Sequence, residues 1–399
     1  MYKKKFKDLI LSKLVKPEHK SVGLEIESII HTKNDKRLPV NSKKELSAVN
    51  VLDLMNNFIE KNGDYSLEPG GQVEWSSRPY VDLNDLNNAI KVHKNNFAKV
   101  LSKNNLKEIT YGVDPIYSPD EVDLIKQKKY ELMDKHMETS GTMGKWMMRC
   151  TASIQVNFDF SSYLEMEEMA FVADTLHPVA TYLFSNSPFQ NGERTGQKNI
   201  RSLIWENTDN LRCNNLFDHG IVSPVGLMDN YVKYVCGVPG IFQLDRNRDI
   251  QDTKQKFGER TENLYKNGCL DDYDLKAALH QIFTNVRIKN LVEVRGADRT
   301  PDSYEIAPAA FWTGILTDEK TRENILNILK DWTVQDRKIF NKCSRVLDRK
   351  QMAPQNKSFG EWVDIIGHIA IEGLKNRNRG EVHLFKNFFE EVKQKGPFG

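Results

Sequence analysis

Three segments of this chain alternate apolar and polar residues with a period of two, which is the pattern of strands that bury one face and wet the other. They cover residues 21–30, 153–160 and 288–295. In the first segment Glu25 and Glu27 lie on the same face, opposite the apolar residues that alternate with them. We therefore predict a sheet with one buried face and one acid-lined, wet face.

The other two segments extend the polar face. Gln155 and Asn157 occupy alternate positions in the second segment. In the third segment Lys289, Glu293 and Arg295 share the side opposite to the apolar residues. The expected wet face therefore carries amides and cations as well as carboxylates.

A fourth segment, residues 66–74, places two more carboxylates beside a chain reversal. Glu68 precedes a proline and two glycines, and Glu74 follows them. Proline makes the reversal rigid and paired glycines permit unusual backbone angles. Such a turn is suited to aiming acidic side chains at a common point.

Five glutamates on one surface need a neutralising partner. Two unit charges at about 4 Å repel by roughly 1 kcal/mol in water and by about 4 kcal/mol at an effective dielectric constant near 20. All the available donors are hard oxygens, which favour Mg²⁺ or Mn²⁺ over Zn²⁺. The predicted metal ligands are Glu25, Glu27, Glu68, Glu74, Gln155 and Glu293. The alternative is that these glutamates point separately into solvent, as most glutamates do.

Helical spacing of apolar residues predicts helices over residues 83–106, 165–183, 316–347 and 359–374. Sheet and helices together indicate an α+β fold. No Pro-, Gly- or Ser-rich linker divides the chain, so we predict a single domain over residues 1–399, with residues 316–399 as a helical part packed on the sheet.

The composition excludes several classes of protein. A net charge of +2 with 28% charged residues argues against a nucleic-acid binder. No run of about 18 apolar residues occurs and the first residues lack the apolar core of a signal peptide, so we expect no membrane partner and a cytoplasmic location. The five cysteines are widely spaced and suggest neither a zinc site nor a disulfide framework. We expect a monomer or a homodimer.

Six motifs resemble those of the glutamate–cysteine ligases of the plant and proteobacterial type, in the order in which that family carries them. They are GLEIE (23–27), SLEPGGQVE (66–74), SIQVNFDF (153–160), LFSNSPF (183–189), IWENTD (204–209) and VEVRGAD (292–298). A looser resemblance continues at residues 369–377. Together they cover most of the chain.

The resemblance implies a glutamine-synthetase-like catalytic fold, in which a mostly antiparallel sheet forms an acid-lined trough with helices packed behind it. It also implies an ATP-dependent ligase that phosphorylates the γ-carboxylate of glutamate and lets the amine of cysteine attack the acyl phosphate, releasing γ-glutamylcysteine, ADP and phosphate. Magnesium would lie between the nucleotide and the substrate.

By motif position, the resemblance assigns a role to each site residue. Arg295 would contact the nucleotide and the phosphoryl group in transfer, and Glu68 and Glu293 would act with it in catalysis. The predicted substrate-binding residues are Arg201, Trp205, Lys129 and Asn157.

One departure affects the substrate. Lys129-Tyr130 stands where many relatives have Arg-Tyr, and lysine lacks the two-pronged grip of arginine on a carboxylate. Three readings therefore stay open: a glutamate–cysteine ligase, a related ligase that uses another acid or amine, and a catalytically inactive relative that binds metal or nucleotide. Retention of the six presumptive metal ligands and Arg295 argues against the third.

Overall fold

The computed structural model describes residues 1–399 and contains helices and strands throughout the chain. The helices are α1 Tyr2–Ile10, α2 Ala48–Asn56, α3 Leu83–Lys103, α4 Lys128–Ser140, α5 Gly144–Cys150, α6 Tyr163–Leu183, α7 Ile200–Glu206, α8 Leu227–Gly237, α9 Phe257–Lys266, α10 Asp272–Leu279, α11 Ala307–Leu316, α12 Glu319–Leu329, α13 Val334–Val346, α14 Phe359–Asn376 and α15 His383–Lys395. The strands are β1 Val22–Thr32, β2 Gly63–Leu67, β3 Val73–Ser77, β4 Leu106–Ile109, β5 Ser153–Phe158, β6 Phe189–Gln190, β7 Glu193–Arg194, β8 Phe242–Leu244, β9 Ile250–Asp252, β10 Val286–Ile288, β11 Val292–Asp298, β12 Met352–Ala353 and β13 Lys357–Ser358.

A seven-stranded sheet forms the centre of the molecule, in the order β10-β11-β5-β1-β3-β2, with β4 paired to the far end of β1. Every pairing in it is antiparallel. Strand β1 is long enough to pair with β3 and β5 through its first half and with β4 through its second. The predicted α+β class with an antiparallel sheet is confirmed.

The apolar face of the sheet packs against helices. Leu24, Ile26, Ile154, Val156 and Val294 are all at most 2% exposed. Helices α6 and α11 contact this side, and nearly every residue of α6 is buried, as expected of a helix enclosed on all sides. The period-two pattern therefore predicted correctly which face carries the apolar core, but the polar face is not wet as expected, since Glu27, Gln155 and Glu293 are at most 9% exposed.

Two predicted elements differ from the structure. The helix expected over residues 316–347 is two helices, because Thr333 accepts a hydrogen bond from the amide of Asp336 and begins a new helix there. Trp332, just before that cap, packs edge-on against Phe340 and Trp362.

The strand expected over residues 288–295 is a hairpin. The amide of Lys289 donates to the carbonyl of Leu291 at 2.9 Å, and the chain reverses between β10 and β11. The residue opposite Glu293 is therefore Arg287, and Lys289 lies in the turn.

One hydrophobic cluster of 95 buried residues includes side chains from the sheet and from the C-terminal helices. The single domain over residues 1–399 remains a prediction that this packing favours. None of the helices is both long enough and apolar enough to cross a membrane.

Candidate active site

The register of the sheet places three of the predicted glutamates side by side. Glu27 on β1 lies directly opposite Glu74 on β3. Glu25, two residues earlier, lies opposite Ser76 on β3 and opposite Gln155 on β5. Since directly opposite residues in a sheet have Cβ atoms about 4.5–5.5 Å apart, these side chains form one polar patch.

Glu68 reaches the patch through the tight turn between β2 and β3. The Glu68 amide donates to the carbonyl of Gln72, and the amide of Gly71 donates to the carbonyl of Glu68, each at 2.9 Å. Gly71 has a φ of +79°, a conformation that favours glycine. A Cβ at Gly70 would lie 2.4 Å from the carbonyl oxygen of Arg149. Both glycines are therefore required for this turn to sit against its neighbours.

A buried ion pair anchors the same turn. Arg37 donates to the carbonyl of Gly70 at 2.9 Å and to Asp114 at 2.6 Å. Asp114 also pairs with His31 at 2.9 Å and accepts hydrogen bonds from two backbone amides. Burial alone would raise the pKa of Asp114, but the hydrogen bond from His31 and the charge of Arg37 hold it at about 2.

Replacing Asp114 with asparagine should destabilise the fold by about 3–5 kcal/mol at pH 7, because it leaves the buried Arg37 without its counter-charge. Since the folded-state pKa lies below the unfolded value, the wild-type advantage should be complete above about pH 4 and should shrink by about 2 kcal/mol as the pH falls toward 2. Urea unfolding across this range measures both effects. The exposed Asp120→Asn should change stability by less than about 0.5 kcal/mol. A difference between Asp114→Asn and wild type that stayed constant down to pH 2 would contradict the assigned pKa.

The polar patch forms one wall of a cavity of about 540 Å³. The other walls come from α4, α5, α10 and the segment around β8, and they include aromatic and methionine side chains such as Tyr130, Met147 and Phe242. The carboxylate, lysine, histidine and arginine side chains that line it are Glu25, Glu27, Glu68, Glu74, Lys129, Lys276, His280, Arg287, Lys289 and Arg295. This volume is sufficient for small-molecule substrates.

Burial raises the pKa of each of the four carboxyl groups in this cavity. For Glu27 burial and the nearby Glu68 raise the pKa to about 7. The pKa of Glu74 lies well above its ordinary value because of burial and then of Glu68, Glu25 and Glu27. Burial is thus the main cause in all four groups, and repulsion between carboxylates adds to it at Glu27 and Glu74.

Glu293 has a different environment from the other glutamates. Arg287 donates to both of its oxygens at 2.7 Å, and Lys289 and Arg295 approach at 2.9 and 2.8 Å. Burial would raise its pKa, but these three cations outweigh burial and hold the pKa well below the ordinary value. Glu293 is fully buried beneath them and does not line the cavity.

The predicted substrate-binding residues fall in different places. Lys129 lines the cavity, whereas Asn157 donates to Glu25 at 2.9 Å and does not line it. Trp205 and Arg295 lie between this cavity and a second one, which Arg201 also lines. Arg295 lies 5.6 Å from the centre of the Trp205 ring and donates to the side-chain oxygen of Gln155.

The donor set suits a hard divalent cation. Four carboxylates with raised pKa values share one wall, and a cation among them would relieve the repulsion. No three histidine, cysteine, aspartate or glutamate side chains converge closely enough to form a metal shell as they stand. The carboxylates therefore line one cavity, but their side chains do not converge into a coordination sphere.

Sequence reasoning missed the cations of the hairpin. Arg287 was assigned no role, and Lys289 was placed on the wet face only through a strand that is in fact a turn. The signal available was the asparagine at position 290, a residue common in tight turns, between two apolar runs. Recognising that turn would have placed Arg287 across from Glu293.

Comparisons with known proteins establish the family of this chain. The sequence matches glutamate-cysteine ligase family 2 (GCS2) over residues 21–344. The chain belongs to this family. The ligase is 31% identical over 382 residues to glutamate–cysteine ligase A of Oryza sativa subsp. indica, covering 92% of this chain and 76% of the rice protein. It is 30% identical over 389 residues to the Arabidopsis thaliana enzyme, covering 95% and 73% of the two chains.

A solved structure shares the fold of the ligase. The glutamate–cysteine ligase of Francisella tularensis in complex with AMP aligns with a TM-score of 0.58 over 95% of this chain and 83% of that one, at 12% sequence identity. The fold prediction is confirmed by this likeness. The family match and the relatives confirm the predicted enzyme class and activity, the ATP-dependent formation of γ-glutamylcysteine.

The predicted cytoplasmic location is wrong by the same comparison. The rice, tobacco and Arabidopsis relatives are chloroplastic enzymes, and this finding contradicts the expectation of a cytoplasmic location.

Proposed function

We propose that the acid-lined cavity joins glutamate to cysteine in two chemical steps. In the first, the γ-phosphoryl group of ATP is transferred to the γ-carboxylate of glutamate. In the second, the amine of cysteine attacks the acyl phosphate and phosphate leaves. The observation that carries this assignment is the meeting of four buried carboxyl groups with raised pKa values, together with Arg295 and Lys289, in one cavity.

The lining residues favour direct phosphoryl transfer over a covalent enzyme intermediate. No cysteine or serine lines the cavity, and the hydroxyl of Thr151, which does line it, donates to the carbonyl of Met147 at 2.6 Å. A carboxylate does not acylate an amine at neutral pH unless one of its oxygens becomes a leaving group. Phosphorylation by ATP supplies that leaving group.

Magnesium or manganese ions would be held by Glu25, Glu27, Glu68 and Glu74, with Gln155 beside them. When bound, such ions neutralise charge on the phosphate oxygens and on the substrate carboxylate. Glu293 keeps its predicted place among the ligands only if it exchanges some of its three cations for metal. Its present contacts support an additional role, which is to fix Arg287, Lys289 and Arg295 in position.

These three cations are suited to the negative charge of the phosphates. They exceed the charge of Glu293 by two, and all three line the cavity. Arg295 is held by Gln155 and Glu293 and stacks on Trp205, so its guanidinium is oriented before the substrate arrives. The AMP held by the Francisella tularensis enzyme supports nucleotide binding by this fold.

The amino acids would be held by Arg201, Trp205, Lys129 and Asn157. Lys129 lies near Glu68, whose pKa it lowers against the effect of burial. Its ammonium offers one point charge to a substrate carboxylate. Asn157 would act through Glu25, to which it donates a hydrogen bond.

Incubation with ATP, magnesium, cysteine and glutamate labelled with ¹⁸O in the γ-carboxylate tests these steps. We expect γ-glutamylcysteine with one ADP and one phosphate for each peptide formed. One labelled oxygen should be transferred to the phosphate, because the acyl phosphate breaks between its carbonyl carbon and the labelled bridging oxygen. Mass spectrometry measures all the products.

The control omits cysteine and should give little peptide and little ADP. Release of AMP, or phosphate without label, would exclude the acyl phosphate. A panel of other amines in the same assay tests the alternative acceptor, which would be favoured if ADP formed quickly only with an amine other than cysteine.

A further inference from the structure

Strand β11 contains a β-bulge beside the acid-lined cavity. The pairing of β11 with β5 shifts by one residue between Val294 and Ala297. Arg295 and Gly296 therefore lie together opposite a single residue, Gln155. A bulge of this kind bends the strand and gives a side chain a direction that regular alternation would not give it.

A buried arginine holds the backbone of this bulge. Arg201 donates to the carbonyl of Arg295 at 3.2 Å and to the carbonyl of Gly296 at 3.4 Å. Arg201 is itself only 3% exposed. One side chain thus satisfies both carbonyls of the bulge and fixes the two peptide groups that flank Gly296.

Asp298 and Ser187 hold Arg201 in place in turn. Asp298 lies 3.6 Å from the Arg201 guanidinium, and it accepts hydrogen bonds from the Ser187 hydroxyl at 2.7 Å and from the Asn186 amide at 2.8 Å. The Ser187 hydroxyl also accepts a hydrogen bond from the Arg201 amide at 3.1 Å. Polar interactions are stronger in a buried cluster than in water because the local dielectric constant is low. This cluster therefore restrains the bulge from behind.

The bulge also depends on the missing side chain of Gly296. A Cβ at this position would lie 1.7 Å from Nε2 of His177, and its three nearest atoms would all belong to the His177 ring. His177 lies on α6 and is 5% exposed, so its ring has little room to move away. An alanine at position 296 would therefore displace the bulge or the ring by roughly 1–2 Å.

We propose that the bulge at Arg295 and Gly296 is a positioning element that aims the Arg295 guanidinium at the phosphoryl group in transfer. Asp298 and Ser187 are positioning residues that act through Arg201. This inference rests on the role of Arg295 in the proposed function. A displacement of about 1 Å in a catalytic group can lower the rate by about a hundredfold, so small shifts of the bulge have large effects.

Gly296→Ala tests the bulge directly. We expect kcat to fall by about a hundredfold and the KM values for ATP and glutamate to change less than about threefold, because the charge of Arg295 is needed most in the transition state. The control is Gly237→Ala at the end of α8, where a Cβ would have no atom within 4 Å. This control should keep kcat within about twofold of the wild type.

Two double variants separate positioning from a general loss of stability. In G296A/H177A the added methyl group occupies space that the ring has left, so the alanine at 296 should lower kcat less than about threefold relative to His177→Ala. In R295M/G296A the side chain that the bulge aims is gone, so the alanine at 296 should also cost less than about threefold relative to Arg295→Met.

Two neighbouring serines test the cluster without any change to the bulge itself. Ser187→Ala removes the hydroxyl between Asp298 and Arg201, and it should lower kcat about tenfold with little change in KM. Ser185→Ala is the matched control, because its buried hydroxyl donates to the carbonyl of Thr181 within α6. It should keep kcat within about twofold of the wild type. Thermal unfolding measures how far each variant remains folded.

A folded Gly296→Ala enzyme with normal kcat would overturn the positioning role. The same conclusion would follow if Ser187→Ala kept the kcat of Ser185→Ala, or if Gly296→Ala cost as much activity without Arg295 as with it. Arg295→Met with normal kcat would instead overturn the proposed role of Arg295 in phosphoryl transfer. The two failures are therefore distinguishable.

Discussion

Glu68→Gln should lower the rate of ATP turnover by about a thousandfold or more, because it removes a carboxylate from the predicted cation site while the side chain keeps nearly the same volume. The fold should persist, since the turn that carries Glu68 is held by its own backbone and by Arg37. Without metal the variant should be as stable as the wild type or more stable, because Glu27 and Glu74 lose a repelling neighbour. Steady-state rates and thermal unfolding with and without magnesium measure these effects.

Magnesium should raise the unfolding temperature of the wild type and raise that of Glu68→Gln much less, since a ligand stabilises the state that binds it. Glu60→Gln, at an exposed position outside the cavity, serves as the control. It should match the wild type in ATP turnover and in the rise of unfolding temperature with magnesium. Normal turnover by Glu68→Gln at saturating magnesium would rule out a shared cation site.

Arg295→Met should lower kcat by about a thousandfold while changing the KM values for ATP and glutamate only a few-fold. The reason is that the arginine charge is needed most as the phosphoryl group transfers. The kcat of Arg295→Lys should lie between those of Arg295→Met and the wild type, because lysine keeps the positive charge but lacks the planar guanidinium group. Initial rates with each substrate varied in turn separate kcat from KM.

The fold of Arg295→Met should survive because Glu293 retains Arg287 and Lys289. Arg194→Met is the matched control: Arg194 is exposed, stacks on Phe189 at 4.9 Å, and lies outside both cavities. A large rise in KM with kcat preserved would assign Arg295 to substrate binding instead.

The structure makes Glu293 a poorer target for the same kind of test. Glu293→Gln would leave Arg287, Lys289 and Arg295 without their common counter-charge. Breaking a buried ion pair in this way costs about 3–5 kcal/mol. A loss of activity in Glu293→Gln could therefore come either from a missing catalytic group or from a less stable fold. Glu68→Gln avoids this ambiguity.

Much of the site could be predicted because side-chain direction in a strand is a local property. Alternate residues point to the same face whatever the rest of the chain does. The shared face of Glu25 and Glu27, the buried face of β5 and the turn at Pro69 therefore followed from short stretches of sequence. The six motifs, in their order along the chain, indicated the family, and the family implied the activity.

Pairing between distant segments decided the rest. Glu27 lies opposite Glu74, and Glu25 opposite Gln155, only because β1 pairs with β3 and with β5 in one particular register. That register depends on hydrogen bonds between segments far apart in the chain, which no local pattern specifies. The raised pKa values in the cavity and the lowered pKa of Glu293 follow from those neighbours.

The sequence by itself determined that this chain would place acids together on the polar face of a sheet and that it resembles a ligase family. Only the tertiary structure showed that Glu293 belongs with Arg287 and Lys289, and that a cationic second cavity shares Trp205 and Arg295 with the first. The physical reason is that a local pattern sets which side of an element a residue occupies, whereas charge neutralisation and cavities arise from the packing of elements remote in sequence.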